Sequence, residues 1–421
     1  MASIILSFVG NQDPYSDNTS TEGSIITLVR HLLHQQCQIA RVILLYTTTT
    51  QQRASDTQAW LESELHLSET MIALNEVDSA LSHDPVELLL AVEAARQGLE
   101  QALPHQEATD YLELNASSGT PVMKSAWSIL QAAGYMPNSR VWQVRNPDKI
   151  QPGQMHVFQT NVDRLKWEFD LKIVQQQVAD YNYNGALVTL TAAKLENSTT
   201  KALLEYGRCR KAFDFNAAFS VLDPIQDDLK AELVKEMAFL RSGDSAALAK
   251  ECYFIALTKL KNREYAEFLV LLASFQESAL RSLLRKKLDV DLRTGSQRNS
   301  DKIWREIRAV DEGKLMQYLE AYKLSRGQSL VTQGFINTTV MTAILEYYRP
   351  SFADVEPHLE GLKKYIKDRN NQVHRLEGVS KIDNEGKVLS HLKQILKRVI
   401  SVPSENPFDH LNQEIFRVLS I

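Results

Sequence analysis

The 421-residue sequence has few cysteines and no long apolar run. Its cysteines, Cys37, Cys209 and Cys252, are odd in number and far apart, which argues against a disulfide framework or a zinc cluster and fits a reducing cytoplasm. No stretch approaches the roughly 20 consecutive apolar residues of a membrane helix, so we expect no membrane contact. Residues 1–7 carry no cationic segment and predict a first strand rather than a signal peptide.

The usual motifs of nucleotide and hydrolase sites are also missing. The sequence contains no Walker A loop, no Gly-x-Gly-x-x-Gly fingerprint and no Gly-x-Ser-x-Gly elbow. It has no convincing Cys/His nucleophile pair. Since no cluster of His, Cys, Asp and Glu has metal-ligand spacing, we expect neither a metal nor a cofactor. The missing glycine fingerprint makes a dinucleotide oxidoreductase a poor interpretation.

The composition is that of a globular protein, but its charge is unevenly distributed. Hydrophobic residues make up 44% and charged residues 24%, with a net charge of −5. Residues 1–160 hold 8 basic against 17 acidic residues, whereas residues 360–400 hold 10 against 5. A basic surface attracts a polyanion, so any RNA contact is expected in the C-terminal part. A lysine-rich helix face in solvent is the alternative explanation.

Strand-like and helical segments alternate in the first 150 residues. This alternation predicts a Rossmann-like α/β domain, with a mostly parallel sheet and helices on both faces. The predicted strands are Ile4–Val9, Arg41–Tyr46, Met71–Val77, Tyr111–Leu114 and Arg140–Val144. The predicted helices between them are Gly23–Gln36, Ala54–Leu65, Pro85–Ala102 with Asp84 as N-cap, and Pro121–Ala133.

The rest of the chain is predicted to be helical. Residues 145–165 lose periodicity. Within them, residues 151–165 are interpreted as a linker, which leaves residues 166–260 as a helical connector and 261–421 as a second helical domain. A solenoid is a minor alternative because no fixed-period repeat is evident. Predicted helices are Leu171–Asp180, Gly185–Ala193, Thr199–Asp214, Ile225–Arg241, Ala246–Leu260, Tyr265–Lys287, and residues 302–324, 336–348, 354–367, 370–376 and 387–400.

Polar loops at the carboxyl ends of the predicted strands are the candidate ligand site, because α/β sheets bind ligands there. Backbone N–H groups at the helix start, hydroxyls and one lysine suit a phosphate. A simple helix-capping turn and a solvated threonine loop are the alternatives. The candidates are Gly10, Asn11, Gln12 and Asp13 after the first strand, Thr47 and Thr48 after the second, and Asn115, Ser117, Ser118, Gly119, Thr120, Pro121 and Lys124 after the fourth.

A second candidate site lies in the basic helical region, at Arg369, Asn370 and His374. Asn370 and His374 share a helix face, whereas Arg369 and His374 are about 140° apart around an ideal helix. RNA supplies its own nucleophile, the 2′-hydroxyl, so cleavage needs proton transfer and charge stabilisation but no metal. Histidine transfers protons near neutral pH and arginine grips phosphate oxygens. A surface arginine with a capping or core histidine is the alternative.

Taken together, these features resemble the CARF–HEPN ribonucleases of type III CRISPR systems. The two strand-end loops look like the family's ligand loops. Residues 181–187 (YNYNGAL) resemble its helical middle. Arg369-Asn370-x₃-His374 is similar to the HEPN motif Arg-x₄₋₆-His. Residues 265–284 look like an early HEPN helix that packs beside the motif helix. The resemblance covers nearly the whole chain.

The resemblance implies a cytoplasmic, metal-independent endoribonuclease of antiviral defence that cuts single-stranded RNA. A cyclic oligoadenylate, tetra- or hexa-adenylate, would bind residues 1–150 and activate residues 261–421 allosterically. A homodimer would assemble one composite site from two copies of Arg369, Asn370 and His374. No stable DNA binding is expected. Thr120 and Asn11 are placed for self-limiting cleavage of the activator.

Two alternatives stay open. The first is a cyclic-oligoadenylate sensor or ring nuclease with an inactive helical domain. The second is a non-enzymatic, nucleotide-regulated scaffold, which would cut no RNA with any activator.

Overall fold

The computed structural model describes residues 2–16, 20–107, 109–136, 138–193, 197–293, 296–324, 327–375 and 378–419; the side chains of Asp163, Asp227 and residues 368–375 are outside this description. The chain forms two compact units, Met1–Asp170 and Leu171–Ile421. Each unit has its own hydrophobic core. Among the described residues, no helix combines the length and apolar character that a membrane crossing requires.

A six-stranded sheet organises the first unit, in the order β5-β4-β1-β6-β7-β8. All neighbours pair in parallel except β7 and β8, which confirms the predicted mostly parallel α/β domain. A short hairpin, β2-β3, lies apart from this sheet. The strands are β1 (Ala2–Phe8), β2 (Tyr15–Ser16), β3 (Thr21–Glu22), β4 (Gln38–Tyr46), β5 (Ile72–Glu76), β6 (Tyr111–Asn115), β7 (Ser139–Val144) and β8 (Val157–Thr160).

Helices cover both faces of the sheet, because the central strand is apolar on both sides. Ile4, Leu6 and Phe8 of β1 enter one core, while Ile5 and Val9 enter the other. The first core includes residues of α4 and α5, and the second includes residues of α1 and α2. The helices are α1 (Ser24–His34), α2 (Gln51–Leu65), α3 (Ser79–His83), α4 (Leu88–Ala102) and α5 (Pro121–Ala132).

Two details of this unit differ from the sequence prediction. The stretch predicted as a linker, residues 151–165, contains β8, which pairs with β7 and closes that edge of the sheet. Helix α4 begins at Leu88, not at Pro85, and its N-cap is Glu87, whose carboxylate accepts the Leu90 N–H at 2.7 Å. Asp84 instead ends α3, because a short helix that the sequence pattern missed precedes it.

The second unit is helical, as predicted. Its helices share one continuous core of apolar side chains. Helix α6 begins in the first unit and continues into the second. The helices are α6 (Asp163–Ala179), α7 (Tyr183–Ala192), α8 (Ser198–Lys211), α9 (Phe215–Ser220), α10 (Asp227–Arg241), α11 (Ser245–Lys261), α12 (Tyr265–Leu288), α13 (Gln297–Ala309), α14 (Lys314–Ala321), α15 (Thr338–Tyr347), α16 (Glu356–Arg375), α17 (Glu385–Val399) and α18 (Pro407–Leu419).

Several helix boundaries differ from the periodicity of the sequence. The predicted helix over residues 302–324 is broken into α13 and α14, because Asp311 and Glu312 have positive φ angles of 48° and 57°. The predicted helices 354–367 and 370–376 are one continuous helix, α16. Short α9 and C-terminal α18 were not predicted.

The predicted connector, residues 166–260, packs into the same unit as the residues that follow it. Helix α18 contacts α8. The Tyr183 hydroxyl donates to Asn412 Oδ1 at 2.8 Å, and Asn412 Nδ2 donates to the Val178 carbonyl at 2.8 Å. These buried bonds join residues more than 220 positions apart. The boundary at residue 260 therefore runs through one packed unit.

Candidate functional site

The loops after β1 and β6 meet at a cavity of about 370 Å³ in the first unit. β1 and β6 are neighbours, and the chain leaves them toward opposite edges of the sheet, which makes this the topological switch point. Eight of the predicted ligand residues line the cavity: Gly10, Asn11, Gln12, Asp13, Ser117, Ser118, Gly119 and Lys124.

Asp13 forms hydrogen bonds with several of the segments that line this cavity. Its side chain is only 1% exposed. The carboxylate accepts the Gly10 N–H at 3.0 Å, the Ser118 hydroxyl and the Ile25 N–H at 3.4 Å. Burial raises the pKa of Asp13, and the bonds from Ser118, Gly10 and Ile25 oppose that rise. Asp13 thus joins both ligand loops to the first turn of α1.

The two loops approach each other so closely that glycine is required. A Cβ on Gly10 would lie 2.9 Å from the Gly119 nitrogen and 3.0 Å from Ser118 Oγ. Gly119 itself has a φ of +87°, which side chains rarely tolerate. The two glycines therefore let the backbones of the two loops come into contact beside the cavity.

Two further predicted residues, Asn115 and Thr120, do not line the cavity but form hydrogen bonds within the loop after β6 and with neighbouring segments. Asn115 is fully buried and donates to Ser7 Oγ at 3.0 Å, while its carbonyl oxygen accepts the Ser117 N–H at 3.0 Å. The Thr120 hydroxyl donates to the Pro85 carbonyl at 2.7 Å and accepts the Met123 N–H at 3.5 Å. Thr120 is thus the N-cap of α5, which is the alternative that the sequence left open.

The remaining predicted residues, Thr47, Thr48 and Pro121, are not among those lining the cavity. Thr47 is buried, and its hydroxyl lies 3.0 Å from Thr49 Oγ1 and 3.1 Å from Thr50 Oγ1. The Thr48 N–H donates to Ser82 Oγ at 3.1 Å. Thr47 and Thr48 follow the end of β4. In the sheet, β1 lies between β4 and β6, so this threonine loop is on the other side of the switch point.

Other parts of the cavity wall were missed in the sequence. One part is the β2-β3 hairpin and the start of α1, and the other follows β7. Arg145 and Asn146 come directly after β7, so the strand-end rule that found the other loops would also have found them. They were assigned to the region of lost periodicity. The additional lining residues are Ser16, Thr21, Glu22, Gly23, Ser24, Val144, Arg145, Asn146, Pro147 and His156.

Two basic side chains line the cavity, although this part of the chain is acidic overall. Lys124 and Arg145 both line it, although residues 1–160 hold only 8 basic residues. Arg145 is held in place by donation to the Met155 carbonyl at 2.6 Å and by stacking of its guanidinium 3.7 Å from the Phe158 ring. Cations and hydroxyls together suit a ligand with phosphate groups.

The ribonuclease motif predicted from the sequence lies on the last turns of α16. Arg369, Asn370 and His374 all fall within this helix, but their side chains lie outside the described residues. α16 packs against α12 and α17. The predicted packing of residues 265–284 beside the motif helix is therefore confirmed.

A histidine pair in the same helical unit was not predicted. His358 Nδ1 on α16 lies 3.1 Å from His391 Nδ1 on α17. Burial lowers the pKa of His391, and the charges of His358 and Lys387 lower it further. The neutral form of the His391 imidazole is thus favoured, so we interpret the histidine pair as a packing contact between α16 and α17. Within the part of the chain that the structure describes, no group of three or more His, Cys, Asp and Glu could hold a metal.

Comparison with known proteins bears directly on this helical unit. Residues 224–416 match the family model of the Csm6 HEPN domain. This segment of the chain is thus similar to a Csm6 HEPN domain. Its fold is similar to that of Enterococcus italicus Csm6 bound to cyclic hexa-2′-fluoro-hexa-dAMP, with a TM-score of 0.64 and 16% sequence identity over 100% of both chains. No curated protein matches the sequence.

These findings confirm the resemblance to a type III CRISPR CARF–HEPN effector and the predicted fold. The Csm6 HEPN domain is a ribonuclease domain, so the prediction of an endoribonuclease is also confirmed. The matched region begins at residue 224 and therefore includes α10 and α11, which precede the boundary predicted at residue 261. Arg369, Asn370 and His374 all lie inside the Csm6 HEPN match.

Proposed function

We propose that the protein is an endoribonuclease that cuts single-stranded RNA when a cyclic oligoadenylate occupies the cavity of its first unit. One observation carries the proposal: a polar, cation-bearing cavity lies at the switch point of an α/β unit in the same chain as a Csm6 HEPN domain. The similar Csm6 of Enterococcus italicus was solved with a cyclic hexanucleotide analogue, which supports a ligand of this class. A tetra- or hexa-adenylate ring fits the proposal.

The proposed chemistry rests on three side chains of α16. His374 transfers the proton of the 2′-hydroxyl or of the leaving oxygen, and Arg369 holds the phosphate as its negative charge grows. Asn370 orients the substrate or the imidazole. The 2′-oxygen attacks the adjacent phosphorus and the bond to the 5′-oxygen breaks, which leaves a cyclic phosphate end. These residues act without a metal or a cofactor.

The direct experiment is a cleavage assay with a fluorescent RNA reporter, run with chelator and without divalent metal. Cyclic tri-, tetra- and hexa-adenylate are compared as activators. We expect cleavage with one ring size, because the ligand must bind the active state more tightly than the inactive one. No cleavage with any ring would contradict the proposal and favour a sensor or a scaffold in the cytoplasm.

The protein is expected to be a homodimer in solution. Arg369 and His374 lie about 140° apart around an ideal helix, so a site completed by a second copy explains the motif better than a single chain does. Light scattering should give twice the mass of the 47.7 kDa chain. A strict monomer that is active with the ligand would contradict the composite site.

Replacing Lys124 with alanine should weaken activator binding about tenfold, or about 1.4 kcal/mol, because a cation at the cavity wall is lost. Calorimetry with the cyclic oligoadenylate measures the change. Alanine favours the helical conformation of α5, so the fold is retained.

Thr48→Ala is the matched control for the Lys124 variant. Thr48 was predicted as a ligand residue but does not line the cavity, so the affinity should stay the same. A weaker affinity in Thr48→Ala together with an unchanged affinity in Lys124→Ala would place the ligand elsewhere.

A further inference from the structure

A group of basic side chains lies on the helical unit, at the C-terminal ends of α8 and α11 and on α17, which packs against α11. Its centre is a cavity of about 610 Å³ bordered by Lys211, Lys259, Lys261 and Arg263 and also by the carboxylates of Asp180 and Glu264. Lys211 and Lys259 also border a second cavity of about 500 Å³ together with Glu267, and Lys261 borders a third of about 300 Å³ with Lys393 and Asp409. Because the three cavities share lysine side chains, we refer to them together as the groove.

Three of the cations in this groove form no ion pair with the described residues: Lys261, Arg263 and Lys393. At the centre, Lys259 pairs with Glu264 and Glu267, and the charges of the same two carboxylates also act on Lys211. Like charges that are not neutralised repel one another, which costs stability unless an anion is bound. Burial, together with the charge of Lys259, lowers the pKa of Lys211 to about 8, and a bound anion would raise this pKa again.

The cations are held in position by the residue that links two of the cavities. Tyr181 has a φ of +55°, at a tight turn between α6 and α7. Its carbonyl accepts Lys211 Nζ at 2.9 Å, and its hydroxyl oxygen accepts Lys261 Nζ at 3.0 Å while donating to Asp409. The Lys261 ammonium also lies 4.7 Å from the centre of the Tyr181 ring. The groove is therefore built by contacts rather than by chance exposure of flexible lysines.

We propose that this groove binds the phosphate backbone of the single-stranded RNA substrate outside the cleavage site. This inference rests on the proposed ribonuclease function. Its length suits a polymer, because the cations spread over three connected cavities instead of converging on one point. Asn182 and Asn262 at the central cavity add hydrogen-bonding groups. Backbone contacts of this kind carry no sequence preference.

The groove is connected to the motif helix through α17. Lys393, at one end of the groove, belongs to α17, and α17 packs directly against α16. An RNA strand held along the groove would thus be anchored on a helix adjacent to the one that carries Arg369 and His374. The groove residues are positioning residues, so their loss should raise KM and leave kcat unchanged.

The test uses the full-length protein and a labelled 2′-O-methyl RNA of about 30 nucleotides, which cannot be cleaved because it lacks the nucleophile. Lys261→Ala combined with Arg263→Ala should weaken binding about tenfold in fluorescence anisotropy. The slope of log affinity against log salt should fall by about 1.4, or about 0.7 for each lost cation on a single strand. Lys302→Ala combined with Lys314→Ala, two exposed lysines elsewhere in the unit, should change neither quantity.

Equal affinity of the groove variant and the wild type would overturn the proposal. Lysine acetylation read by mass spectrometry gives a second measure: the RNA should protect Lys261 and Lys393. Protection by inorganic phosphate or ATP, without protection by the RNA, would mark a small-anion site instead. Reporter cleavage by the wild type is measured separately. An inactive wild type that still binds RNA through the groove would reject the ribonuclease proposal alone.

Discussion

Replacing His374 with alanine should reduce activator-dependent RNA cleavage at least about a thousandfold while leaving the affinity for the cyclic oligoadenylate unchanged. The proposed role of His374 is proton transfer at the 2′-hydroxyl or the leaving oxygen. Arg369 and Asn370, the other residues of the motif, do not titrate near neutral pH and cannot replace it. The proposed activator site lies in the first unit, which the substitution does not alter. Reporter-RNA kinetics and calorimetry measure the two quantities.

Arg369→Ala should have an effect of similar size, because the growing charge on the phosphate loses its cation. His410→Ala is the matched control: His410 lies within the Csm6 HEPN match but faces Glu232 at 3.7 Å on the surface. Wild-type cleavage by His374→Ala would remove the assignment of the site. Loss of cleavage in His410→Ala as well would indicate damage to the domain rather than to its chemistry.

Replacing Arg210 with alanine should destabilise the helical unit by about 3–5 kcal/mol. The Arg210 side chain is 1% exposed and makes two bonds to Glu251, at 2.7 and 2.8 Å, and one to Glu236 at 2.6 Å. Glu251 is fully buried, so without Arg210 its charge has neither water nor a partner. Chemical denaturation should show the loss as a lower midpoint.

Arg208→Ala is the matched control for this prediction. It lies one half-turn earlier on the same helix, where it is exposed and pairs with Glu205 at 2.6 Å. Exposed pairs contribute little, so its loss should change the free energy of unfolding by less than about 1 kcal/mol. Equal destabilisation by both substitutions would show that the buried ion pairs of Arg210 contribute no more to stability than the exposed pair of Arg208.

The Arg210 cluster also explains why the connector and the HEPN domain form one unit. Arg210 lies on α8, upstream of the matched region, whereas Glu236 and Glu251 lie inside it. The positive charge that neutralises these two carboxylates is therefore supplied by Arg210, a residue outside the Csm6 HEPN match. A fragment that starts at residue 224 should therefore be less stable than one that includes α8.

Much of the architecture could be predicted because it depends on local patterns. The alternation of strand-like and helical segments in the first 150 residues indicated a mostly parallel sheet. The small, polar loops after β1 and β6 could be found by the general rule for strand ends. The motif on α16 could be found because its residues lie within one helix. Predictions failed where a local signal was weak, as at β8, whose pairing depends on β7 rather than on its own periodicity.

The site itself depended on contacts between distant residues. Asp13 and Ser118 are 105 positions apart, and only the order of the strands brings them together at one cavity. The same holds for the groove, where Lys211, Lys261 and Lys393 come from three different helices. Local side-chain patterns alone thus determined the elements, the candidate loops and the motif. Tertiary packing decided which loops meet, which threonine caps a helix, and where cations from distant helices collect, because those outcomes depend on distances in space that sequence separation does not encode.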